Sequence, residues 1–272
     1  MSKTVFFDID GTIWDDDMVI PESTIEAVAT LKANGHLAFI CTGRARASVR
    51  SEKLLNMGFD GIIAACGNYI EMDGKVIYEN NLSADMVQKV IRVLSECKMP
   101  VVLEGSTDYW IDDEGFEDDP YVDYLFESLG EHAHIIRGYD GEIRINKFSA
   151  DVIDGTDYER VKAEFADDFL ILEHVENVVE FVPKGTSKAT GIKWLCNHLD
   201  IPLDETYAIG DSVNDLEMLE SVGHGIAMGN SMPPAKEIAE YVTSDISDDG
   251  VKNALKLSLI HISEPTRRVV IS

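Results

Sequence analysis

The sequence predicts an α/β fold: a Rossmann-like parallel-sheet core with an inserted α+β domain. Three observations carry this. Over the first part of the chain, short apolar runs alternate with helical segments, the rhythm of a parallel sheet with crossover helices. The rhythm then gives way to a hairpin and to alternating strands. It resumes at Pro183-Lys184-Gly185 and continues beyond.

Taken in order, Val5-Phe6-Phe7 is an apolar run that stops in Asp8-Ile9-Asp10-Gly11-Thr12. After a polar turn, Ile25, Val28, Ala29 and Leu31 recur at helical spacing, with Ser23 as the expected N-cap and Gly35 as the stop. A second buried strand, Leu37–Cys41, ends in Thr42-Gly43-Arg44, and a helix is expected over 47–57, closed by Gly58. Gly61–Ala65 is a third strand, and Tyr69–Tyr78 reads as a hairpin turning at Asp73-Gly74. A helix over 84–97 follows. From Val101 to Pro183 the pattern has strands at 101–104, 109–112, 143–148, 170–173 and 178–182, with helices at 121–129 and 158–165. Beyond it come a helix over 188–199, a strand over 206–210 that ends at Asp211, and a helix over 214–221. A strand over 225–228 ends at Gly229-Asn230. A helix at 235–239, a strand at 241–243 and a helix over 251–257 complete the pattern. The expected organisation is a core of residues 1–82 and 184–257 around an inserted domain of residues 83–183. The last stretch, 258–272, lacks periodicity and is expected to be flexible or non-native.

The length, 272 residues, suits one large or two ordinary domains, and a hydrophobic fraction of 45% supports a full core. The net charge of -27 argues against nucleic acid or an anionic membrane held by general electrostatics. An anionic substrate must therefore be held by local positive groups, because charges beyond roughly 8 Å are largely screened. The acidic runs lack the alternating ligands and glycine of a calcium loop. Cys41, Cys66, Cys97 and Cys196 are widely spaced and form no Cys-x-x-Cys pair, which fits a reducing, cytoplasmic setting. Met-Ser-Lys leads directly into a strand, and no apolar run is long enough to span a bilayer. Secretion and membrane insertion are not expected.

The chemistry gathers at strand ends. Ligands of open α/β sheets bind at the carboxyl ends of the strands. Asp8 and Asp10, Thr42, and Asp211 each follow a strand in the parallel part, and Lys188 opens a helix. If the strands are neighbours, three carboxylates, a hydroxyl and an ammonium face one crevice. The carboxylates ask for a hard divalent cation such as magnesium, with the Asp10 share supplied by its backbone carbonyl. The hydroxyl, nearby amides and the lysine suit a phosphate. On spacing alone, Lys184 and Lys193 compete with Lys188 for that place. A carboxylate beside a metal-bound phosphoryl group can act as nucleophile, and a second one two residues on can move protons.

These residues resemble a known family. Asp8-Ile9-Asp10-Gly11-Thr12, Thr42-Gly43-Arg44, Lys188 and Gly210-Asp211-Ser212-Val213-Asn214-Asp215 look like the four motifs of the haloacid dehalogenase superfamily, in order. The second aspartate of the first motif resembles the phosphatase branch. The insert between the second and third motifs, and Lys184-Gly185-Thr186-Ser187-Lys188, resemble the Cof-type subfamily with its large α/β cap. The resemblance implies that Asp8 is the nucleophile and a magnesium ligand, and that Asp10 is the general acid and base with its carbonyl on the metal. It implies that Asp211 is the third ligand, that Thr42 and Lys188 hold phosphate, with Gly43 in the same loop, and that Asn214 contacts phosphate. Asp215 would buttress Lys188 or the metal shell, and Arg44 would support the loop. One departure is Cys66-Gly67-Asn68, where many relatives read Asn-Gly-Ala; it bears on the cap hinge or on substrate fit.

The expected function is magnesium-dependent hydrolysis of small phosphorylated metabolites, such as sugar phosphates, by a monomer or small homo-oligomer. A phosphotransferase or phosphomutase would use the same core, and a non-catalytic binding protein would need to have lost Asp8, Asp10, Lys188 or Asp211. Within the cap, Arg144, Lys147, His174 and Asn177 are the polar candidates for reading the leaving group, whereas Tyr109, Trp110 and Phe116 read as core.

Overall fold

The computed structural model describes residues 2–116, 119–174 and 177–259. The expected tail therefore lies, from residue 260 on, outside the described residues. In chain order the elements are β1 Thr4–Phe7, α1 Glu22–Ala33, β2 Leu37–Cys41, α2 Glu52–Leu55, β3 Gly61–Ala64, β4 Tyr69–Met72 and β5 Lys75–Glu79. Next come α3 Ala84–Glu96, β6 Val101–Glu104, β7 Tyr109–Ile111, α4 Pro120–Leu129, β8 Ala133–Ile135, β9 Lys147–Asp151, α5 Tyr158–Phe165, β10 Phe169–Glu173 and β11 Val178–Pro183. The chain closes with α6 Lys188–His198, β12 Thr206–Gly210, α7 Leu216–Ser221, β13 His224–Ala227, α8 Pro233–Ile238, β14 Tyr241–Val242 and α9 Gly250–Leu259. The fold is mixed α/β with a parallel Rossmann-like core. It divides into two compact units, one of Met1–Ile40, Asn56–Asp60 and Cys196–Ser272, the other of Cys41–Leu55 and Gly61–Leu195.

The first unit is built on parallel strands in the order β14-β13-β12-β1-β2. Thr4–Phe7 are all buried, which is why β1 is a continuous apolar run rather than an alternating one. Phe6 stacks on Phe39 with centroids 5.7 Å apart, and Phe7 meets Phe59 edge-on at 5.7 Å. α1 packs on α9, and α7 on β12 and β13. Register pairs Phe7 of β1 with Ile209 of β12, so β1 stops one residue before Asp8 and β12 runs one residue further, to Gly210 beside Asp211.

α1 begins differently from the expectation. Its N-cap position is Pro21, not Ser23. The Pro21 carbonyl accepts from Thr24 N at 3.0 Å, and a proline ring already holds a backbone angle that suits helix entry. Ser23 lies inside the helix, its buried Oγ without a hydrogen-bond partner among the described residues. The stop is as expected: Gly35 takes φ +79 and returns its amide to Lys32 O at 2.9 Å.

The second unit carries the antiparallel ribbon β3-β4-β5 and a six-stranded sheet in the order β10-β11-β9-β6-β7-β8, antiparallel except where β7 meets β8. The hairpin turns at Asp73 and Gly74, with φ +50 and +69, the left-handed pair that a two-residue turn requires. Beneath one sheet face, α3 and α5 bury Val87, Val90, Val93, Leu94, Val161 and Phe165. Ser83 caps α3 by accepting from Met86 N at 3.2 Å. Phe148 stacks on Phe181 at 4.5 Å, and Phe165 and Phe169 meet both edge-on. On the opposite face, Val102, Tyr109 and Ile111 pack with α4 and with Ala45, Ala47 and Ala65. Tyr109 and Trp110 are core residues, as expected, and Phe116 packs partly buried against the cluster that holds Tyr109.

Two further elements differ. The helix expected over 47–57 is a single turn at Arg46–Ser48 followed by the short α2. Arg46 donates to Val49 O at 3.0 Å and Arg50 to Ala47 O at 2.8 Å, so side chains take carbonyls that a continuous helix would use itself. The strand expected over 143–148 is Lys147–Asp151. β6 ends at Glu104, where Gly105 turns back to Asp108 at 3.0 Å, and Asn146 takes the last ladder bond to Glu104 O at 2.9 Å.

Candidate active site

In the first unit, β1 delivers Asp8 at its carboxyl end, 3% exposed, with its amide held by Ile209 O at 3.0 Å. The chain then winds tightly, because the amides of Thr12, Ile13 and Trp14 all converge on Ile9 O at 3.2, 2.8 and 3.1 Å. Gly11 has φ +72, and a Cβ on it would sit 2.4 Å from Asp211 Oδ2. Both the turn and the neighbouring carboxylate therefore demand glycine. Buried Thr12 donates from Oγ1 to Asp211 Oδ1 at 3.2 Å. The Asp10 carboxylate lies in the same turn and accepts from Trp14 Nε1 at 2.8 Å.

β12 ends at Gly210 and passes Asp211 into a single turn capped by Ser212. Asp215 is fully buried, and its Oδ2 accepts from the amides of Asp211 and Ser212, each at 3.0 Å. A Cβ on Gly210 would lie 2.6 Å from Asp215 Cγ, so here the close carboxylate alone leaves no room for a side chain. Asn214 accepts from Ser212 Oγ at 2.7 Å. One oxygen from each of Asp8, Asp211 and Asp215 lies within 4.8 Å of the others. Three carboxylates so close repel strongly unless a cation joins them. Their hard oxygen donors fit a divalent cation of the magnesium or calcium kind.

The second unit holds the other expected residues. Thr42 is 1% exposed; its amide donates to Ile63 O at 2.8 Å and its Oγ1 accepts from Arg44 N at 3.1 Å. Gly43 lies between them, and its carbonyl accepts from Lys147 Nζ at 3.4 Å. Lys188 opens α6 with its side chain 1% exposed, and its carbonyl accepts from Cys41 Sγ at 3.9 Å. A buried ammonium is tolerated only beside negative charge.

Of the candidates on the inserted segment, Lys147 is buried between Glu104 at 3.3 Å and Glu180 at 2.5 Å. Burial opposes its charge, but the two carboxylates hold the Lys147 ammonium well above its ordinary value. Burial also works against the Glu180 anion, yet Lys147 and His174 bring its carboxyl down to about 2. His174 reaches Glu180 at 3.0 Å, whereas Arg144 is exposed and pairs with Glu142 at 3.0 Å. Asn177 takes φ +65 and gives its carbonyl to Val152 N at 3.0 Å. Burial pushes the Cys66 thiol up to about 12. All four cysteines are buried thiols outside any disulfide.

With this geometry in hand, comparison with known proteins is decisive. The family of haloacid dehalogenase-like hydrolases matches residues 5–255. The chain belongs to that family.

Among relatives of this haloacid dehalogenase-like hydrolase is the Bacillus subtilis (strain 168) protein YkrA, whose name carries a provisional phosphatase assignment. It is 34% identical, over 94% of this chain and 97% of its own. The 5-amino-6-(5-phospho-D-ribitylamino)uracil phosphatase YitU of the same organism is 28% identical over 93% and 96%. Among solved structures, the subclass IIB sugar phosphatase BT4131 superposes with a TM-score of 0.75 at 25% identity, covering 94% of this chain and 98% of its own.

The motif reading did not single out Asn230, Thr12 or Ser212. Asn230 donates from Nδ2 to Gly11 O at 2.7 Å and accepts from Ile246 N at 3.1 Å, bracing the Asp10 turn. The signal was present in Gly229-Asn230, a polar pair closing an apolar strand like the pairs after β1 and β12. Thr12 and Ser212 sit inside the recognised motifs, and their partners become visible only when β1 and β12 are paired.

Proposed function

We propose that the chain is a magnesium-dependent phosphatase that hydrolyses small phosphorylated metabolites through an aspartyl-phosphate on Asp8. The observation that carries this reading is the meeting of Asp8, Asp211 and Asp215 within 4.8 Å at the ends of two neighbouring parallel strands. Family membership supports the hydrolytic class. YitU and BT4131, one named for a phosphorylated ribitylaminouracil and the other as a sugar phosphatase, support the substrate class.

Asp8 and Asp211, with the Asp10 carbonyl, would hold the metal, and Asp215 fixes the Asp211 backbone beside it. Magnesium, when bound, neutralises charge on the phosphoryl oxygens. Asp8 attacks with one carboxylate oxygen; its bond to phosphorus forms as the bond from phosphorus to the leaving oxygen breaks. The Asp10 carboxyl gives its proton to that oxygen. The Asp10 carboxylate then takes a proton from water, the water oxygen bonds to phosphorus, and the bond to Asp8 breaks to release inorganic phosphate. The Thr42 hydroxyl, the Gly43 loop, the Lys188 ammonium and Asn214 hold the phosphate oxygens, and Arg44 supports the loop.

Residues 83–183 act as the cap that limits water and selects the leaving group. That assignment is supported by a six-stranded sheet drawn wholly from within this stretch. Four buried cysteines, none in a disulfide, favour a reducing, cytoplasmic setting. No helix among the described residues is long and apolar enough to cross a membrane.

The test is phosphate release from an aryl phosphate and from a panel of phosphorylated metabolites. Magnesium supports turnover, a chelator removes it, and Asp10→Asn slows both half-reactions. Transfer of the phosphoryl group to an added sugar without free phosphate would replace hydrolysis by phosphotransfer.

A further inference from the structure

We infer that Asn68 is a positioning residue for Lys188, tying the segment before α6 to the left-handed loop after β3. The inference rests on the phosphate-binding role proposed for Lys188.

The loop is unusual. Ala65, Cys66 and Gly67 take φ +49, +52 and +85 in succession. Two residues with side chains in that region persist only where their surroundings hold them there. Asn68 supplies much of that hold. It is wholly buried, and its Nδ2 donates to Ala65 O at 2.8 Å and to Thr186 Oγ1 at 3.0 Å. Its Oδ1 accepts from Asn80 Nδ2 at 2.8 Å, and its carbonyl accepts from Asn80 N at 2.8 Å.

Thr186 gives its own hydroxyl proton to Pro183 O at 2.6 Å, which leaves the oxygen as the acceptor for Asn68. One side chain therefore fixes the strained loop and the approach to Lys188 together. It also reaches both ends of residues 83–183, because Asn80 precedes that stretch and Pro183 closes it. Asn146 continues the ladder with Nδ2 donating to Asn80 O at 3.0 Å and Asn81 Oδ1 at 3.2 Å.

The loop in turn sets α6 by backbone contact. A Cβ on Gly67 would stand 2.3 Å from Ser187 O and 3.0 Å from Gly191 N. A Cβ on Gly191 would stand 2.9 Å from Gly67 Cα. Two glycines thus let the backbone of the loop rest on the first turn of α6, and Lys188 lies within that turn. A fully satisfied buried amide fixes one geometry where an apolar residue of equal size would only fill space.

The test compares Asn68→Asp, which keeps the shape but removes both Nδ2 donors, with Thr186→Val, which removes the acceptor, and with the double variant. The readouts are kcat and KM for an aryl phosphate, inhibition by orthovanadate, and hydrogen exchange at the amides of Thr190 and Gly191. Each single variant should lower kcat by roughly 10- to 100-fold, the scale of a small misplacement of a catalytic group. KM should move little and vanadate should inhibit more weakly. The double variant should be no worse than the worse single one, because both break the same bond. Exchange should quicken at the start of α6 while the amides of β6, β9 and β11 keep their protection. Unchanged kcat with quickened exchange would make Asn68 merely structural, and losses that multiply would separate it from Thr186; either overturns the inference. If Asn68→Asp does not fold, Thr186→Val decides alone. Lys188→Met with full turnover would instead overturn the role of Lys188 and both readings with it.

Discussion

The carboxylate of Asp215 holds the backbone of Asp211, whose amide donates to Asp215 Oδ2 at 3.0 Å. The same oxygen takes the Ser212 amide at 3.0 Å. Asp215 therefore does two things at once. It adds negative charge to the cluster with Asp8 and Asp211, and it fixes where the Asp211 side chain starts.

This arrangement gives a prediction for the metal. Asp215→Asn keeps the size but replaces one carboxylate oxygen by a donor that faces two amide hydrogens or the cluster. Magnesium affinity should fall by about 10- to 100-fold, the usual effect of disturbing a group behind a ligand. Isothermal titration with magnesium on the purified protein checks it, and unchanged affinity would remove Asp215 from the metal's support.

Gly11→Ala should damage the same cluster from the other side. The new Cβ meets Asp211 Oδ2 at 2.4 Å, on a backbone with φ +72. We expect a stability loss of roughly 1–3 kcal/mol from strain and displacement, together with weaker magnesium binding. Urea unfolding with and without magnesium separates the two effects.

The Lys147 cluster predicts a pH signature. Lys147→Met leaves Glu104 and Glu180 buried without their cation, which should cost roughly 3–5 kcal/mol at neutral pH. In the parent protein, Glu180 is held near 2 against an ordinary 4.5, so it adds stability above 4.5 that is lost as pH falls towards 2. The variant loses the Lys147 share of that depression and keeps only that of His174. Its deficit should shrink at about pH 4, where the orphaned Glu180 carboxyl can take a proton. Denaturant midpoints at both pH values check this, and an equal deficit would contradict it.

Asp151 predicts the opposite slope. Burial, and then the Asp119 charge, push its carboxyl up to about 6. A raised carboxyl favours the folded state at low pH and loses that contribution as pH rises from 3.8 through about 6. Asp151→Asn should therefore be more stable than the parent above about pH 6, by roughly 1–2 kcal/mol after allowance for partial exposure. The difference should fade below about pH 4 in thermal melts.

Much of this was legible in the chain. Asp8 and Asp211 were readable because each ends an apolar run, and a strand buried on both faces leaves no other place for a carboxylate. The Asp73-Gly74 turn and the start of α6 at Lys188 were readable from local chemistry in the same way. Ser23 was misplaced because serine and Pro21 both offer a helix start, and the proline entered first. The break at 49–51 was hidden because arginine side chains, which suit a helix, capture its carbonyls instead. The Thr12–Asp211 and Asn68–Thr186 bonds join residues 199 and 118 apart, and nothing local announces such pairs.

The most direct measurement of the central claim is a rapid acid quench of Asp10→Asn turning over an aryl phosphate with magnesium, followed by peptide mass spectrometry. Attack by Asp8 predicts a hydroxylamine-labile phosphoryl group on the peptide carrying Asp8, absent in Asp8→Asn, which should also lose turnover by on the order of a thousandfold or more. An unmodified Asp8 peptide, or an Asp8→Asn variant that releases phosphate at the parent rate, would contradict the account.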